Sequence, residues 1–286
     1  MASPDPSSSH EYVIDIEEAA ETGRLMEQAR LYTKAMGGVF PEPLDLTPVK
    51  QILDIACGPG GWAIEVAFEH PDKEIVGIDI NETMIRYAFA QARVRKLQHV
   101  TFEVMDATKP LKFHDASFDL INARLLVGFM DRASWPRLLV ECKRLLRPGG
   151  IVRLTEFETV ISSSAALQRL QGCLYQVLSQ QGRTFSVDGS SMGVTHMLGR
   201  LMQQAGFENI EHRAFSIDGS FNSELHYTGI KDAEVLYSLL KPYLIQSGVI
   251  AESEYERQYQ QMLADFLNEE YAAISYGLTA WATKPL

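Results

Sequence analysis

Cysteine is scarce in this chain of 286 residues, which contains only Cys57, Cys142 and Cys173. Their number is odd and no two form a Cys-x-x-Cys pair, which argues against a disulfide framework and against a cysteine-ligated zinc site. Because structural disulfides belong to oxidising compartments, we expect a reducing, cytoplasmic environment. The sequence also lacks a His-Glu-x-x-His motif and any paired cluster of histidines and carboxylates at ligand spacing, so no metal site is predicted.

Positive charge and long apolar runs are also in short supply. The chain has 26 lysines and arginines against 37 aspartates and glutamates, a net charge of -11 at pH 7. This excess of negative charge argues against binding to nucleic acid or to an anionic membrane surface. No apolar run approaches the ~18 residues that span a bilayer. Segment 1–10 is rich in serine and proline and does not resemble a signal peptide, so we expect a soluble protein with a disordered tail.

What the sequence does contain is a regular alternation of short apolar runs and amphipathic segments. Hydrophobic residues make up 46% of the chain, enough to fill a sizeable core. Strands are predicted over 51–56, 74–80, 100–105, 118–122 and 151–156, and helices over 62–69, 82–96 and 135–146. The sequence Arg147-Pro148-Gly149-Gly150 is expected to form the turn that ends the last helix. Such alternation predicts an α/β fold with a parallel sheet and helices on both faces.

The flanking regions are less regular. Residues 15–36 predict one or two helices, which end at the glycines and prolines of 37–43. In the second half, helices are predicted over 163–182, 195–204, 232–244 and 253–268, and strands over 207–217 and 272–283. These later helices interrupt the order of the strands, and we expect them to cover one edge of the sheet.

Polar side chains and glycines follow three consecutive strands. The first strand enters the turn Ala56-Cys57-Gly58-Pro59-Gly60-Gly61, where the backbone can approach a ligand and a helix N-terminus offers unpaired N–H groups. Asp79 ends the second strand, 19 residues after Gly60, where a carboxylate can accept hydrogen bonds from ribose hydroxyls. Asp106 follows the third strand and can accept a hydrogen bond from an adenine amine. These groups therefore predict one crevice at the carboxyl ends of the strands. Gly58-x-Gly60-x-x-Ala63 also satisfies the loose dinucleotide fingerprint.

Five segments, in order, carry a resemblance to a known family. They are Leu53-Asp54-Ile55-Ala56-Cys57-Gly58-Pro59-Gly60-Gly61, Gly77-Ile78-Asp79-Ile80-Asn81-Glu82-Thr83-Met84, Val104-Met105-Asp106-Ala107, Phe118-Asp119-Leu120-Ile121-Asn122-Ala123-Arg124 and Leu145-Leu146-Arg147-Pro148-Gly149-Gly150. Over residues 52–151 the chain resembles the class I S-adenosylmethionine-dependent methyltransferases. Ala56 is a departure, because many members carry glycine there. The resemblance implies a Rossmann-like sheet of seven mostly parallel strands with an antiparallel last strand.

The resemblance also implies a division of the chain. Residues 1–10 would be the disordered tail, 11–48 an N-terminal helical lid, and 49–160 a cofactor-binding Rossmann-like core. Residues 161–286 would complete that core with the strands 207–217 and 272–283. Helical insertions at 161–193 and 219–268 would then form a cap over the carboxyl edge of the sheet.

The cofactor implied is S-adenosylmethionine, with S-adenosylhomocysteine as product. The binding residues that the resemblance implies are Asp54, Ala56, Gly58, Gly60, Asp79, Ile80, Met84, Asp106, Ala107, Ala123 and Arg124. The turn from Ala56 to Gly60 would cradle the methionine part, and Asp79 would bind the ribose diol. Ile80 and Met84 would pack against adenine, whose amine Asp106 and the Ala107 backbone would bind. Ala123 and Arg124 would line the pocket after the fourth strand.

Candidates for the acceptor side are less defined. Glu156, at the end of the fifth strand, is expected to point toward the acceptor, although a capping or solvated carboxylate is the alternative. His226 lies in the expected cap and is our second catalytic candidate, with a structural or surface role as its alternative. Arg124 can hold an anionic acceptor, the cofactor carboxylate or an ordinary salt-bridge partner.

Two further groups stay open between site and core. The N-terminal helices, which often fold over the cofactor in this family, contribute Tyr12, Arg24, Gln28 and Tyr32. The apolar residues of the cap that can line an acceptor pocket or simply fill a core are Met192, Met197, Tyr237, Tyr243 and Phe266.

The function expected is methyl transfer to a small-molecule, apolar or natural-product-like acceptor, by direct in-line displacement without a covalent enzyme intermediate. Three alternatives remain: a methyltransferase acting on protein or RNA, an NAD(P)-dependent oxidoreductase, and a protein that binds the cofactor without transferring its methyl group. The expected partner is a small molecule rather than nucleic acid or membrane, and a homodimer is left open. Cys57 is expected to serve packing only.

Overall fold

An eight-stranded sheet forms the centre of the structure, a computed structural model that describes residues 19–286. The strands described are β1 (Gln51–Ile55), β2 (Glu74–Asp79), β3 (Val100–Val104), β4 (Phe118–Arg124), β5 (Leu146–Phe157), β6 (Ile161–Ser162), β7 (Glu208–Asp218) and β8 (Ala273–Thr283). They lie in the order β3-β2-β1-β4-β5-β8, with β7 on the other side of β8 and the short β6 paired with the first residues of β8. The first five are parallel, and β8 runs antiparallel to both β5 and β7. This arrangement confirms the predicted Rossmann-like α/β fold.

The helices connect and cover these strands. Those described are α1 (Ala19–Met36), α2 (Gly61–Glu69), α3 (Glu82–Val94), α4 (Ser134–Leu145), α5 (Ala165–Gln180), α6 (Leu198–Gln204), α7 (His226–Gln246) and α8 (Glu252–Phe266). Side chains mark where two of them begin. The Asn81 side chain accepts a hydrogen bond from Met84 N at 2.9 Å, and Ser164 Oγ accepts one from Leu167 N at 3.1 Å. None of the helices within 19–286 is long and apolar enough to cross a membrane.

Both faces of the central strands are buried, as expected for a parallel sheet between helical layers. Ile52 of β1 packs with Trp62 of α2 on one face. Its neighbour Leu53 packs on the other face with residues of α4 and α6, such as Leu139 and Leu198. The alternation of side chains along a strand thus supplies two apolar layers from a single apolar run.

A third apolar cluster joins α5, α7 and α8 and reaches the start of β8 at Ala273. Helix α1 packs against α7 and against α2, and so bridges this helical group and the Rossmann-like core. These helices face the segments that follow β4 and β5, and their position prepares an enclosed space at the carboxyl ends of those strands.

The element boundaries differ from prediction in a few places. Strand β5 begins at Leu146 and includes residues 147–150, which were predicted as a turn. The reason is pairing with the C-terminal segment: Gly149 N donates to Lys284 O at 2.9 Å and Lys284 N donates to Gly150 O at 2.8 Å. β6 places residues 161–162 in the sheet, although the cap insertion was predicted to begin there. The predicted tail, Tyr12 and the start of the lid lie outside the described residues.

Candidate functional site

A cavity of about 420 Å³ opens at the carboxyl ends of β1 to β4 and is covered by α1. The residues expected to bind a cofactor that line it are Asp54, Ala56, Gly58, Asp79, Ile80, Met84, Asp106, Ala107 and Arg124. The structure thus brings together residues as far apart in sequence as Asp54 and Arg124. We call this space the first cavity.

The turn after β1 is shaped by backbone conformations that favour glycine. Gly58 has φ +54°, Gly60 has φ +82°, and Ala56 adopts φ +54° despite its Cβ atom. A Cβ on Gly60 would lie 2.8 Å from Ala88 Cβ and 3.0 Å from the Phe102 ring. Gly60 does not line the first cavity, so its role is to let the turn pack against α3 and β3. Ala123 does not line it either, because its side chain is buried in the core.

Asp79 joins the end of β2 to this turn. Its Oδ2 accepts a hydrogen bond from Gly58 N at 2.9 Å and its Oδ1 accepts one from Asn81 N at 2.9 Å. Burial raises the pKa of the Asp79 carboxyl, and the hydrogen bonds from Asn81, Gly58 and Ile80 oppose that rise. Each carboxylate oxygen keeps acceptor capacity for a ligand, because an ionised oxygen can accept two hydrogen bonds.

Asp106 lies farther along the same wall. Its Oδ1 accepts hydrogen bonds from Thr108 N at 2.9 Å and Thr108 Oγ1 at 2.6 Å, and Lys109 forms an ion pair at 3.0 Å. Burial acts to raise the pKa of Asp106, but the hydrogen bonds from Thr108 and Lys109 outweigh it and lower the pKa. Ile80, which follows Asp79 in the chain, lines the same cavity and is 60% exposed. An apolar surface in one cavity with these acceptors suits a flat ring that carries an amine.

Opposite charges meet at the inner end of the first cavity. Burial raises the pKa of Asp54 to about 6, while Arg124 and the hydrogen bond from Asn122 oppose that rise. Burial lowers the pKa of Arg124 to about 10, and Asp54 opposes that decrease. Arg124 Nη1 also donates to Thr33 Oγ1 at 3.4 Å. A carboxylate and a guanidinium side by side suit a ligand end that carries both an ammonium and a carboxylate.

A second cavity of about 300 Å³ adjoins the first and shares Gln28, Tyr32 and Leu125 with it. Tyr32 stacks on Phe157 with ring centroids 4.0 Å apart. The other apolar side chains of its wall come from helices, strands and loops around it: Leu31, Val127, Val160, Leu167, Leu174, Leu178, Met192, Ile217, Ile230, Ala233, Leu236, Leu240, Phe266, Ala273 and Ile274. The wall of the second cavity is therefore largely apolar, and it joins the first cavity at the three shared residues.

The charged residues described in the wall of the second cavity are Arg24, Glu158 and Asp232. Arg24 donates to Glu21 at 2.6 and 2.8 Å and to Asp232 Oδ1 at 2.8 Å. Glu158 accepts hydrogen bonds from Gly193 N at 3.0 Å, from Thr195 N at 3.1 Å and from Thr195 Oγ1 at 2.9 Å. Both groups are thus engaged by protein partners.

Comparison with known proteins identifies the domain that contains the first cavity. Residues 52–150, about a third of the chain, match the model of a family described as a methyltransferase domain. The chain carries a class I, S-adenosylmethionine-dependent methyltransferase domain. The predicted resemblance is confirmed, and it rests on the strand-end motifs that form the first cavity.

Relatives of this methyltransferase domain differ in how much of the chain they match. A stretch of 206 residues, 69% of the chain, is 32% identical to methyltransferase pytC of Aspergillus terreus and covers 58% of that protein. A stretch of 119 residues, 41% of the chain, is 37% identical to phosphoethanolamine N-methyltransferase 3 of Arabidopsis thaliana and covers 23% of that protein. The chain thus spans less than two thirds of the length of these relatives.

A solved structure shares the fold over nearly the whole chain. It is phosphoethanolamine N-methyltransferase 2 of Haemonchus contortus, in complex with phosphomonomethylethanolamine and S-adenosylhomocysteine. The TM-score is 0.53 at 18% identity, with 99% of this chain and 61% of that chain covered. The likeness therefore extends to the helices outside the methyltransferase domain.

The two catalytic candidates do not reach either cavity. Glu156 is fully buried, and its Oε1 accepts a hydrogen bond from Leu126 N at 2.7 Å. Burial raises its pKa to about 8, against hydrogen bonds from Leu126 and Val127. Contrary to expectation, Glu156 holds the segment after β4 instead of pointing to an acceptor. His226 begins α7, where its Nδ1 lies 2.9 Å from the Gly219 carbonyl oxygen and its ring packs near Phe221.

Other candidates reach the cavities from directions that strand-end motifs cannot predict. Gln28 and Tyr32 line both cavities and Arg24 lines the second. Of the apolar cap candidates, Met192, Tyr237 and Phe266 line the second cavity, whereas Met197 and Tyr243 do not. The structure adds lining residues that sequence reasoning missed, namely Leu125, Thr108 and Phe129. Thr108 follows Asp106 by two residues, a spacing typical of a turn closed by an aspartate, and could have been found.

Cys57 lines the first cavity beside the carboxylates of Asp54 and Asp79. Burial, reinforced by these two negative charges, raises the pKa of its thiol well above the usual value. A thiol held in its protonated form is a poor nucleophile.

Proposed function

We propose that the chain is an S-adenosylmethionine-dependent methyltransferase that methylates a small, largely apolar acceptor by direct in-line displacement, with S-adenosylhomocysteine as product. The observation that supports this most is the junction of the two cavities. The first cavity, which has a carboxylate at the end of each of three neighbouring strands, meets the second, largely apolar cavity at Gln28, Tyr32 and Leu125. The geometry suits two different ligands whose reactive ends meet there.

The residues of the first cavity fit the cofactor that the family implies. Asp79 would accept hydrogen bonds from the ribose hydroxyls, and Asp106 with the Ala107 backbone would bind the adenine amine. Ile80 and Met84 would hold the ring between them. At the inner end, Asp54 and Arg124 would pair with the ammonium and carboxylate of the methionine part. The cofactor supplies a methyl group already activated by a sulfonium, so the protein mainly positions the two reactants and excludes water from them.

The residues of the second cavity favour a neutral acceptor. Its described charged residues are already paired, since Arg24 is committed to Glu21 and Asp232. An acceptor bearing a phosphate would have to bury two negative charges in an apolar wall without an unoccupied cation, which is strongly unfavourable. This distinguishes the acceptor proposed here from the phosphorylated compound bound by the Haemonchus contortus enzyme.

Direct displacement is supported by the groups near the junction. Cys57 is the thiol of the first cavity, and burial keeps it protonated. No covalent intermediate on the protein is therefore needed, and the shared residues Gln28, Tyr32 and Leu125 have only to align the acceptor atom with the methyl group. Closure of both cavities by α1 would exclude water from that alignment.

Calorimetric titration tests the cofactor part of the proposal. The purified protein is titrated with S-adenosylhomocysteine and, in parallel, with NAD. We expect micromolar binding of the first and none of the second. Binding of NAD alone would replace the proposal by a nicotinamide-dependent oxidoreductase.

Product formation tests the acceptor part. S-adenosylhomocysteine release is measured with neutral phenols such as 2-naphthol and, separately, with phosphoethanolamine. We expect turnover with members of the neutral set only. Turnover with phosphoethanolamine alone would overturn the assignment of an apolar acceptor while leaving the methyltransferase assignment intact.

A further inference from the structure

A row of hydrogen-bonded polar side chains crosses the sheet at the inner end of the first cavity. Asp54, Asn122 and Arg153 are direct register partners on β1, β4 and β5. Asn122 Nδ2 donates to Asp54 Oδ1 at 2.7 Å, and Arg153 Nη1 donates to Asn122 Oδ1 at 2.6 Å. Arg153 Nη2 then donates to Glu42 Oε1 at 2.8 Å. None of the four side chains is more than 5% exposed, and Asp54 is the member that lines the cavity.

The chemistry of the arginine sets the direction of every hydrogen bond in this row. A guanidinium only donates, so Asn122 has to present its carbonyl oxygen to Arg153. The amide NH₂ of Asn122 is then fixed toward Asp54, which has to accept. An Asn122 side chain turned by 180° would place NH₂ against the guanidinium and oxygen against the carboxylate, and both contacts would be repulsive.

The position of Arg153 is itself fixed from the side away from the cavity. Glu42 supplies the ion pair, and the rings of Phe40 and Trp62 lie 5.9 Å from the guanidinium carbon. Glu42 Oε2 and Arg153 Nε have no hydrogen-bond partner among the described residues. A buried ion pair with unsatisfied atoms adds little to stability compared with an apolar pair of the same size. The effect of this ion pair therefore lies in the orientation of the row of side chains from Arg153 to Asp54.

Asp54 is left with one oxygen for a ligand. Its Oδ1 accepts from Asn122, its Oδ2 has no hydrogen-bond partner among the described residues, and Asp54 belongs to the wall of the first cavity. The charged or titratable groups that act on it are Arg124 and Arg153, which favour its ionised form, and Asp79, which opposes it. Cys57 lies in the adjoining turn with its thiol protonated.

We propose that Arg153 is a positioning residue for cofactor binding: acting through Asn122, it holds Asp54 ionised with Oδ2 directed at the ammonium of the cofactor's methionine part. This inference rests on the proposed function. Arg153, which is fully buried and does not line the first cavity, would thus help to select the amino-acid end of the ligand.

The test compares two ligands that differ in that end. S-adenosylhomocysteine carries the ammonium and carboxylate, whereas 5′-methylthioadenosine keeps the adenosine and lacks them. The variant is the double substitution Glu42→Met with Arg153→Met, which removes the ion pair without leaving a buried charge behind. Asn122→Leu is the second variant, and Arg153→Lys is the conservative one. Circular dichroism checks that each is folded.

We expect the double variant and Asn122→Leu to bind S-adenosylhomocysteine about tenfold more weakly at neutral pH, with unchanged binding of 5′-methylthioadenosine. The loss should grow as the pH falls toward about 6, because Asp54 without this support protonates more readily. Arg153→Lys should bind S-adenosylhomocysteine more tightly than the double variant does, because lysine keeps a hydrogen-bond donor and a positive charge at this position.

An equal loss for both ligands would overturn the inference, because it would indicate general damage to the cavity. Unchanged binding of S-adenosylhomocysteine in the folded variants would overturn it as well. If the wild-type chain binds neither ligand, the proposed function fails first, and that outcome is distinct from either of these.

Discussion

The two cavities of this protein are built in opposite ways. In the first, Asp79 and Asp106 each accept a hydrogen bond from a residue two positions later in the chain. Asp54 is the exception, because its partner Asn122 lies on β4. In the second, contacts join distant parts of the chain, and Arg24 meets Asp232 at a separation of 208 residues. The first carries a carboxylate at the end of each of three strands, and much of the wall of the second comes from helices α1, α5 and α7. A cofactor common to a family suits the first construction, and an acceptor particular to one enzyme suits the second.

The largest expected effect would separate the two cavities completely. Ala233→Trp adds a large ring to the α7 wall of the second cavity without touching the first. Methyl transfer to the phenol that turns over in the screen should fall by about a hundredfold or more, because the acceptor is displaced from its aligned position. Calorimetric affinity for S-adenosylhomocysteine should stay within about twofold of wild type.

The matched control is Val140→Trp on the exposed face of α4, which should change neither quantity. If Ala233→Trp weakened cofactor binding as much as turnover, the two cavities would not be separate functional units.

Glu156 links the cavities, since it holds the segment after β4 that lines both. Its folded-state pKa of about 8 lies above the usual value of 4.5, so its contribution to stability is present below about pH 4.5 and is lost as the pH rises to about 8. The free energy of unfolding of wild type should fall by roughly 3–5 kcal/mol over this interval relative to Glu156→Gln.

Urea unfolding at about pH 5 and about pH 8 measures that difference. Glu103→Gln, at an exposed position of β3, is the control and should follow wild type. Parallel pH profiles for wild type and Glu156→Gln would show that the buried carboxyl does not titrate as proposed.

Substitution of Asp79 tests whether its carboxylate contributes to ligand binding in the first cavity. Asp79→Ala removes the acceptor of Gly58 N and the proposed ribose partner. Affinity for S-adenosylhomocysteine should fall by about 1–3 kcal/mol, roughly 5- to 150-fold in Kd, because buried hydrogen-bond partners lose their acceptor. Calorimetry with Asp188→Ala, in an exposed turn, gives the reference. Unchanged affinity in Asp79→Ala would remove the ribose assignment.

The smallest expected effect concerns the side chain of Cys57, which lines the first cavity. Cys57→Ala should leave turnover and cofactor affinity within about twofold of wild type and lower stability by about 1 kcal/mol, since the thiol serves packing. Steady-state kinetics and thermal unfolding measure both. Loss of turnover with folding and cofactor affinity intact would mean that the thiol takes part in the reaction, against direct displacement.

The contrast between the cavities also explains how far sequence reasoning could go. The sheet and the strand-end residues Asp54, Asp79 and Asp106 were predictable, because apolar periodicity locates strands and parallel strands bring their ends together. Glu156 was predicted to reach the acceptor from its place at a strand end, but the direction of its side chain depends on the backbone N–H of Leu126 and Val127. No local pattern shows that contact.

The second cavity was beyond local reasoning for the same reason. Gln28 faces both cavities because α1 is held to α7 by Arg24 and Asp232, which requires the whole chain to be folded. His226 was chosen for its chemistry, and its partner, the Gly219 carbonyl, is again set by tertiary packing. The row that ends at Arg153 depends on strand register, which periodicity alone does not define.

Helix α5 lines the second cavity through Leu167, Leu174 and Leu178 and contributes nothing to the first. By contrast, α1 contributes to both. For protein engineering, this difference identifies wall residues that can be changed in one cavity without altering the other. Libraries aimed at a new acceptor belong on α5, where selection can reshape the recognition of one molecule without disturbing the recognition of the other.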